Sequence, residues 1–317
     1  MDPDGAIAKV VEGLTKRSPV MQDAVAVEGN LADGTTFTTR EGLPGIGRRR
    51  FGQGVAPTKS TTSKVKEPVT LFEGNSAVDV ALANLNGNAP AFRADEDRAF
   101  MQAFNNQVES ALIYDSQAAN EDQMNGLIHR LDSTSGPAGG QIVKLGAGGS
   151  NTNTSMLLVG WGKDTVHTIF PKGTKGGLDH KDMGEQLWDP NNDGKKFRAY
   201  VTNWNWQIGV AVKDKRFIAA VRNIDMSSES GGTIAAPVND LIMAAIDAYH
   251  LIYSPEDVRL CWYVSRKLAA ILHKQAVNSI SKSTLSYEMV AGKPVVSLIG
   301  VPIRISDAII NTEAAIS

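Results

Sequence analysis

The chain has 317 residues, 42% of them hydrophobic and 21% charged, with a formal net charge of −2. That length allows about two domains or one elaborated domain, and the composition supports a sizeable core rather than bulk disorder. A single cysteine, Cys261, excludes an intramolecular disulfide framework and a cysteine-built zinc site, and the near-neutral charge excludes a chain basic throughout.

The opening Met1-Asp2-Pro3-Asp4-Gly5 is acidic, with no apolar stretch of the secretory kind. No apolar run approaches the ~18 residues of a membrane helix. A soluble chain in a cytosol-like compartment, without a membrane partner, is expected. Residues 6–17 read as a short amphipathic helix, with Ile7, Val10, Val11 and Leu14 at helical spacing. It docks either on its own domain or on a neighbouring subunit.

Residues 29–68 carry many glycines, at 29, 34, 42, 45, 47, 52 and 54, and few large apolar side chains. Segments 23–28 and 60–70 flank this stretch and read as strands. Between Arg48 and Lys66 stand six basic residues (Arg48, Arg49, Arg50, Lys59, Lys64 and Lys66) and no acid. Such a segment cannot bury enough apolar area to hold itself in place, and a loop of this length is unusual in a compact domain. Phe51 is its one aromatic, so its capacity for base stacking is poor. Three readings are open: a solvated charge run, a phosphate contact, and a salt-bridging loop laid across an acidic neighbour. The last is preferred.

Residues 77–85 are apolar-rich and end at the turn signal Asn86-Gly87-Asn88. Asp95, Glu96 and Asp97 then suit the positive end of a helix dipole. Phe100, Phe104, Val108 and Leu112 follow at four-residue spacing, predicting a core helix of about 20 residues, ~30 Å long. Residues 132–155 form a small-residue linker.

Beyond the linker the period changes to two. Segments 155–161 and 165–170 read as a hairpin across Gly162-Lys163-Asp164. Residues 172–194 read as a polar excursion. Along 198–212, Tyr200, Thr202, Trp204, Trp206 and Ile208 share one face, while Asn203, Asn205 and Gln207 share the other. Segment 216–224 is expected to pair with it across Lys213-Asp214-Lys215. Pro237 can open a helix with Ile242, Ile246, Tyr249 and Tyr253 at core spacing. A strand at 260–264 follows, then a helix over 266–276 with Ser265 as N-cap and Leu268, Ile271 and Leu272 inward. Strand 284–290, a turn at Gly292 and a long strand 295–305 close the chain. Pro302 suggests an edge or a bulge there. The fold class is α+β, with no internal repeat.

Motifs for chemistry are weak. The run Leu145 to Ser150 ends in Asn151-Thr152 and lacks the Gly-Lys-Ser/Thr of a phosphate loop. Asp189 to Gly194 matches the first half of a calcium loop, but Tyr200 stands where the bidentate glutamate belongs. The five histidines form no ligand pair, and His180 in Asp179-His180-Lys181-Asp182 is at most a weak metal or acid–base site. No Gly-x-Ser-x-Gly elbow occurs. Cys261, beside Trp262 in an apolar strand, reads as an inert small hydrophobe. Trp204 and Trp206 read as a packed sheet face, with stacking on sugars or bases as the alternative.

The order of elements, with Phe51 to Thr62, Ala77 to Gly87, Ala94 to Phe100, Leu158 to Gly162, Phe170 to Leu178, Tyr200 to Trp206 and Gly300 to Ile309, resembles the major capsid proteins of tailed bacteriophages, the Hong Kong phage-type shell fold. The resemblance spans essentially the whole chain. It implies an N-terminal arm (1–32), an extended loop (33–72), a peripheral domain (73–145 with 285–317) and an axial domain (146–284). The helix with Phe100, Phe104, Val108 and Leu112 becomes the spine of the peripheral domain. The resemblance further implies a structural subunit with no enzymatic role and no cofactor or metal. Its copies would form hexamers and pentamers of an icosahedral shell around double-stranded DNA, touched non-specifically. The virion capsid would be assembled in the host cytoplasm. Arg48, Arg49, Arg50, Phe51, Lys59, Lys64 and Lys66 would make inter-subunit contacts. A separate scaffolding protein is implied, because only about 20 residues precede the loop region. A portal would be a further partner, and a decoration or cement protein an optional one whose presence the sequence does not decide. Some relatives cross-link a loop lysine to a neighbour's asparagine; no acceptor is identifiable here, so a non-covalent shell is expected. The rival readings are a calcium- or carbohydrate-binding β-rich domain, using Asp189 to Gly194 and the tryptophan face, and a hydrolase or nucleotide enzyme using His180.

Overall fold

The computed structural model describes residues 18–85, 89–136, 138–146, 151–226, 238–278, 285–290 and 293–316. The helix expected at 6–17, the turn at 86–88, residues 147–150 of the glycine-rich linker, Pro237 and Gly292 lie outside them.

The described chain opens with α1 (Pro19–Asp23), where the Ser18 side chain accepts the Met21 N–H and Pro19 needs no partner for a missing one. β1 (Ala26–Glu28) leads to β2 (Gly34–Gly42) and β3 (Thr61–Pro68), which pair antiparallel from Gly34↔Pro68 to Gly42↔Thr61. The strands expected at 23–28 and 60–70 are present in part, as β1 and β3, and no strand was expected at 34–42. The partner of β3 is β2, where the Thr-rich run Thr35 to Thr39 favours an extended ribbon in spite of the flanking glycines. β4 (Thr70–Asp79) and α2 (Val80–Leu85) follow, then α3 (Ala89–Tyr114). At 26 residues α3 starts earlier than expected, so Glu96 and Asp97 fall in its second and third turns rather than at its first.

Two short 3-10 turns and β5 (Ile142–Lys144) precede β6 (Asn153–Trp161), β7 (Val166–Phe170), β8 (Leu178–Trp188), β9 (Phe197–Val212) and β10 (Ile218–Asp225). Then come α4 (Val238–His250), β11 (Arg259–Val264), α5 (Arg266–Asn278), β12 (Leu285–Val290), β13 (Lys293–Leu298) and β14 (Val301–Ile305). The fold is α+β. Among the described residues, twelve strands join one branched sheet, and β2 with β3 stands apart as a two-stranded ribbon.

Four expectations about pairing are corrected. β6 and β7 do not form a hairpin; they share one parallel pair, Trp161↔Val166. β6 lies between β10 and β11, both antiparallel, and all nine of its residues are buried. β7 pairs with β9 and β1. β10 likewise leaves β9 for β6 and β5, redirected by a 3-10 turn at Lys215–Phe217 that Asp214 caps. The polar excursion contains an 11-residue strand, β8, paired with β9 from Leu178↔Trp206 to Trp188↔Phe197. Its sequence looks polar because it lies at the edge of the β4–β9–β8 layer, mostly exposed. The long last strand is two strands, turned at Ile299 (φ 55) and Gly300 (φ 75). Two successive positive φ values suit a tight hairpin turn.

α3 packs on the β4–β9–β8 layer. Phe104, Val108 and Leu112 are buried and Phe100 partly so. Gly74 of β4 makes the approach possible: a Cβ there would meet Phe104 Cε2 at 3.1 Å. The expected inward face of β9 holds, with Thr202, Trp204, Trp206 and Ile208 buried. β4 and β9 pair from Thr70↔Ile208 to Asp79↔Ala199, so this layer joins residues on both sides of position 146. The second half of the core surrounds β6, β10 and β11. There Trp161, Trp262 and Tyr263 meet Leu241, Ala245 and Ala248 of α4 and Leu268, Ile271 and Leu272 of α5. Ser265 caps α5 as expected, accepting the Leu268 N–H at 3.4 Å.

Candidate functional site

Among the described residues, the β2–β3 ribbon and its tip stand apart from the core. Its base is held firmly. Glu67 of β3 is buried, and Arg130, in the 3-10 turn Ile128–Leu131 beyond α3, donates to both its carboxylate oxygens at 2.7 and 2.8 Å. Arg130 also donates to the carbonyls of Asn125 and Val210. One guanidinium therefore joins the ribbon, the end of the helix region and β9. On the outer face Lys66 donates to Asp33 at 2.5 Å, and this ion pair holds the Asp33 carboxyl below its usual range. Of the six cations expected to face a neighbour, Lys66 is thus engaged within its own chain.

Beyond Gly42 the tip orders itself. Thr58 Oγ1 donates to the Gly45 carbonyl at 2.7 Å, and Gly47 lies so close to Val55 that a Cβ would come within 2.9 Å of its Cγ1. The Gln53 N–H closes a turn onto the Arg50 carbonyl at 3.1 Å, with Gly52 at φ 82. Arg49 donates to the Gln53 carbonyl. Arg48, Arg49, Arg50, Lys59 and Lys64 are exposed and have no ion-pair partner among the described residues. No acid occurs between Glu41 and Glu67.

The body that carries this ribbon is stitched by buried polar groups that have no local sequence signature. Asp23 of α1 is buried against Arg259 (2.5 Å), Arg304 (3.2 Å) and the Tyr263 hydroxyl (3.0 Å). Burial lifts the Tyr263 hydroxyl well above its usual pKa. Glu109 of α3 accepts from Ser306 at 2.7 Å, and burial raises its pKa. Glu313 accepts from the hydroxyls of Tyr114 and Ser155 and lies 3.3 Å from Arg222. The 306–316 segment is thereby bound to the helix and to β6 and β10.

The tryptophan, His180 and Asp189 candidates are engaged within the fold, and most of the Leu145 to Ser150 run lies outside the described residues. Trp204 and Trp206 are buried and offer no stacking platform. His180 stacks on Trp204 with centroids 5.1 Å apart. The Asp189 carboxylate accepts the N–H groups of Asp193 and Gly194, closing an Asx turn where a calcium ion would need those oxygens. Among the described residues no three metal-capable side chains cluster. Burial pushes the Cys261 thiol up to about 11, as an inert side chain requires.

Comparison with known proteins matches this architecture. The family model of the major capsid protein GP7 covers residues 2–317. A chain of the near-atomic-resolution structure of bacteriophage Epsilon15 is 33% identical, covers 100% of this chain and 94% of its own, and superposes with a TM-score of 0.74. A chain of the bacteriophage JBD30 capsid is 13% identical over 80% of this chain and 81% of its own, with a TM-score of 0.47. No curated protein matches.

Proposed function

Because the chain belongs to the major capsid protein GP7 family and is a structural subunit of a phage capsid, we propose that its copies assemble as hexamers and pentamers of an icosahedral shell around double-stranded DNA. The observation that carries this reading is the ribbon: a loop ordered by its own bonds, anchored at its base by Glu67 and Arg130, and exposing cations that have no ion-pair partner among the described residues. Residues 1–32 act as an arm, 33–72 as the extended loop, 73–145 with 285–317 as the peripheral domain and 146–284 as the axial domain. The paired β4 and β9 hold these last two together.

The mechanism is geometric, not enzymatic. The loop reaches over an adjacent subunit, and each exposed ion pair there is worth about 0–1 kcal/mol. Repetition over many copies makes the shell durable without covalent links. A separate scaffolding protein, a portal and a decoration or cement protein complete the set of partners, and assembly takes place in the host cytoplasm. Electron microscopy of the chain co-expressed with its scaffolding protein tests the reading. Capsomers or closed shells are expected; a preparation of monomers alone overturns it.

A further inference from the structure

We infer that Phe51, at the apex of the loop's terminal turn, is an apolar anchor that a second copy of this chain receives, with Ile46 and Leu43 beside it. The inference rests on the shell reading and adds which side chains carry the contact. Phe51 stood among the residues expected to touch a neighbour, with ion pairs of Arg48, Arg49 and Arg50 expected to carry the contact. The ribbon's most unusual property is instead apolar. Phe51, Ile46 and Leu43, at 105%, 96% and 81% of full exposure, are the three most exposed large hydrophobic residues described. All three lie within nine residues of one another at the tip.

This arrangement is built. Phe51 and Gly52 form the middle of the turn closed by Arg50 and Gln53, and Gly52 at φ 82 takes a conformation that L side chains rarely adopt. The Thr58–Gly45 bond and the Gly47–Val55 contact brace the two arms of the loop behind it. An aromatic side chain presented on a closed turn and flanked by arginines has the composition of an interface hot spot. Being already ordered, it loses little conformational freedom on docking.

Chemistry selects the partner. Phosphate oxygens would satisfy Arg48 to Arg50 but give an isoleucine and a leucine nothing, so duplex DNA fits half the tip. A protein surface fits all of it. β2 alone spans nine residues, ~30 Å at the rise of a strand, which carries the tip away from its own body. With six positive charges from Arg48 to Lys66, the rest of the chain carries −8. Another copy therefore supplies the complementary charge, and a shell supplies that copy at a fixed distance.

The test uses the full chain assembled with its scaffolding protein. A benzoylphenylalanine photo-crosslinker at position 51 should yield, on irradiation of particles, a covalent dimer on a denaturing gel. Phe51→Ser with Ile46→Ser should lower the assembled fraction by about tenfold or more, as expected for loss of a hot spot, while the melting temperature of the isolated subunit stays unchanged. Arg48→Gln, Arg49→Gln and Arg50→Gln together should leave assembly at low salt and lower the salt concentration at which particles dissociate. A crosslink to DNA, to scaffold or within one chain overturns the inference. So does wild-type assembly by the Ser variant, or a drop in its subunit melting temperature. Absence of particles from the wild-type chain would instead refute the shell reading itself.

Discussion

Glu67 and Arg130, 63 residues apart, form a two-bond ion pair in which the carboxylate is buried and the guanidinium only 17% exposed. Next to it in the same strand, Lys66 pairs with Asp33 in solvent, both partners more than half exposed. The two pairs differ in what is lost when they are cut. Removing one partner of a buried pair leaves an uncompensated charge and costs about 3–5 kcal/mol. Glu67→Ala should therefore destabilise the subunit by about that amount, with faster amide exchange across β2 and β3. Lys66→Ala should leave denaturant unfolding essentially unchanged. Equal effects from both substitutions would show that the ribbon base is not held by Arg130.

Gly74 sets the distance between β4 and α3. A Cβ would lie 3.1 Å from Phe104 Cε2 and 3.8 Å from Phe100 Cδ1. Gly74→Val should cost about 1–3 kcal/mol through overpacking. Shortening the neighbour in the double variant Gly74→Val, Phe104→Leu should recover part of that loss, a coupling that a double-mutant cycle measures. Strict additivity would place the cause elsewhere than in this contact.

His167 of β7 is buried, and burial followed by the charge of Lys213 lowers its pKa to about 4. Its folded value lies below its unfolded value near 6.5, so the unfolded chain takes up the proton first. Stability is complete above about pH 6.5 and falls as pH drops towards 4, by at most about 3 kcal/mol at 1.36 kcal/mol per pH unit. Carboxylates titrate in part of the same window, so the informative quantity is the difference between the wild type and His167→Gln. The variant should show the shallower decline between pH 6.5 and 4 in urea titrations. Parallel curves would contradict the assignment.

Glu313 stands between Tyr114, at 2.6 Å from its hydroxyl, and Arg222, at 3.3 Å. Glu313→Gln keeps the shape and removes the charge beside a buried guanidinium. It should cost about 3–5 kcal/mol, against about 1 kcal/mol for Tyr114→Phe, which removes one hydrogen bond. Thermal unfolding of the two variants checks the ranking, and limited proteolysis should release the 306–316 segment sooner in the first.

The legible parts of this chain are those in which a residue's neighbours in sequence are also its determinants. Phe100, Phe104, Val108 and Leu112 repeat at the helix's own period, so the stripe could be read without knowing what it faces. The alternation from Thr202 to Ile208 and the cap at Ser265 are local in the same sense, and so is the cation-rich, acid-free run from Arg48 to Lys66. The family resemblance was legible too, through many short segments in a fixed order. Tertiary structure alone decided which strands pair. β6, β7 and β10 are apolar runs, and nothing within such a run names its partner, so proximity in sequence points to hairpins that the fold does not form. β8 escaped notice because an edge strand exposes polar side chains and so loses the mark of a buried one. The stitching residues were invisible for a plainer reason. Asp23 meets Arg304 across 281 positions and Glu67 meets Arg130 across 63. A charge whose burial is made tolerable only by a distant partner carries no local sign of being buried. At the ribbon tip the sequence showed the arginines and Phe51 as contact candidates, but exposure depends on what the rest of the fold covers, so only the tertiary structure showed that Phe51 and Ile46 are left uncovered.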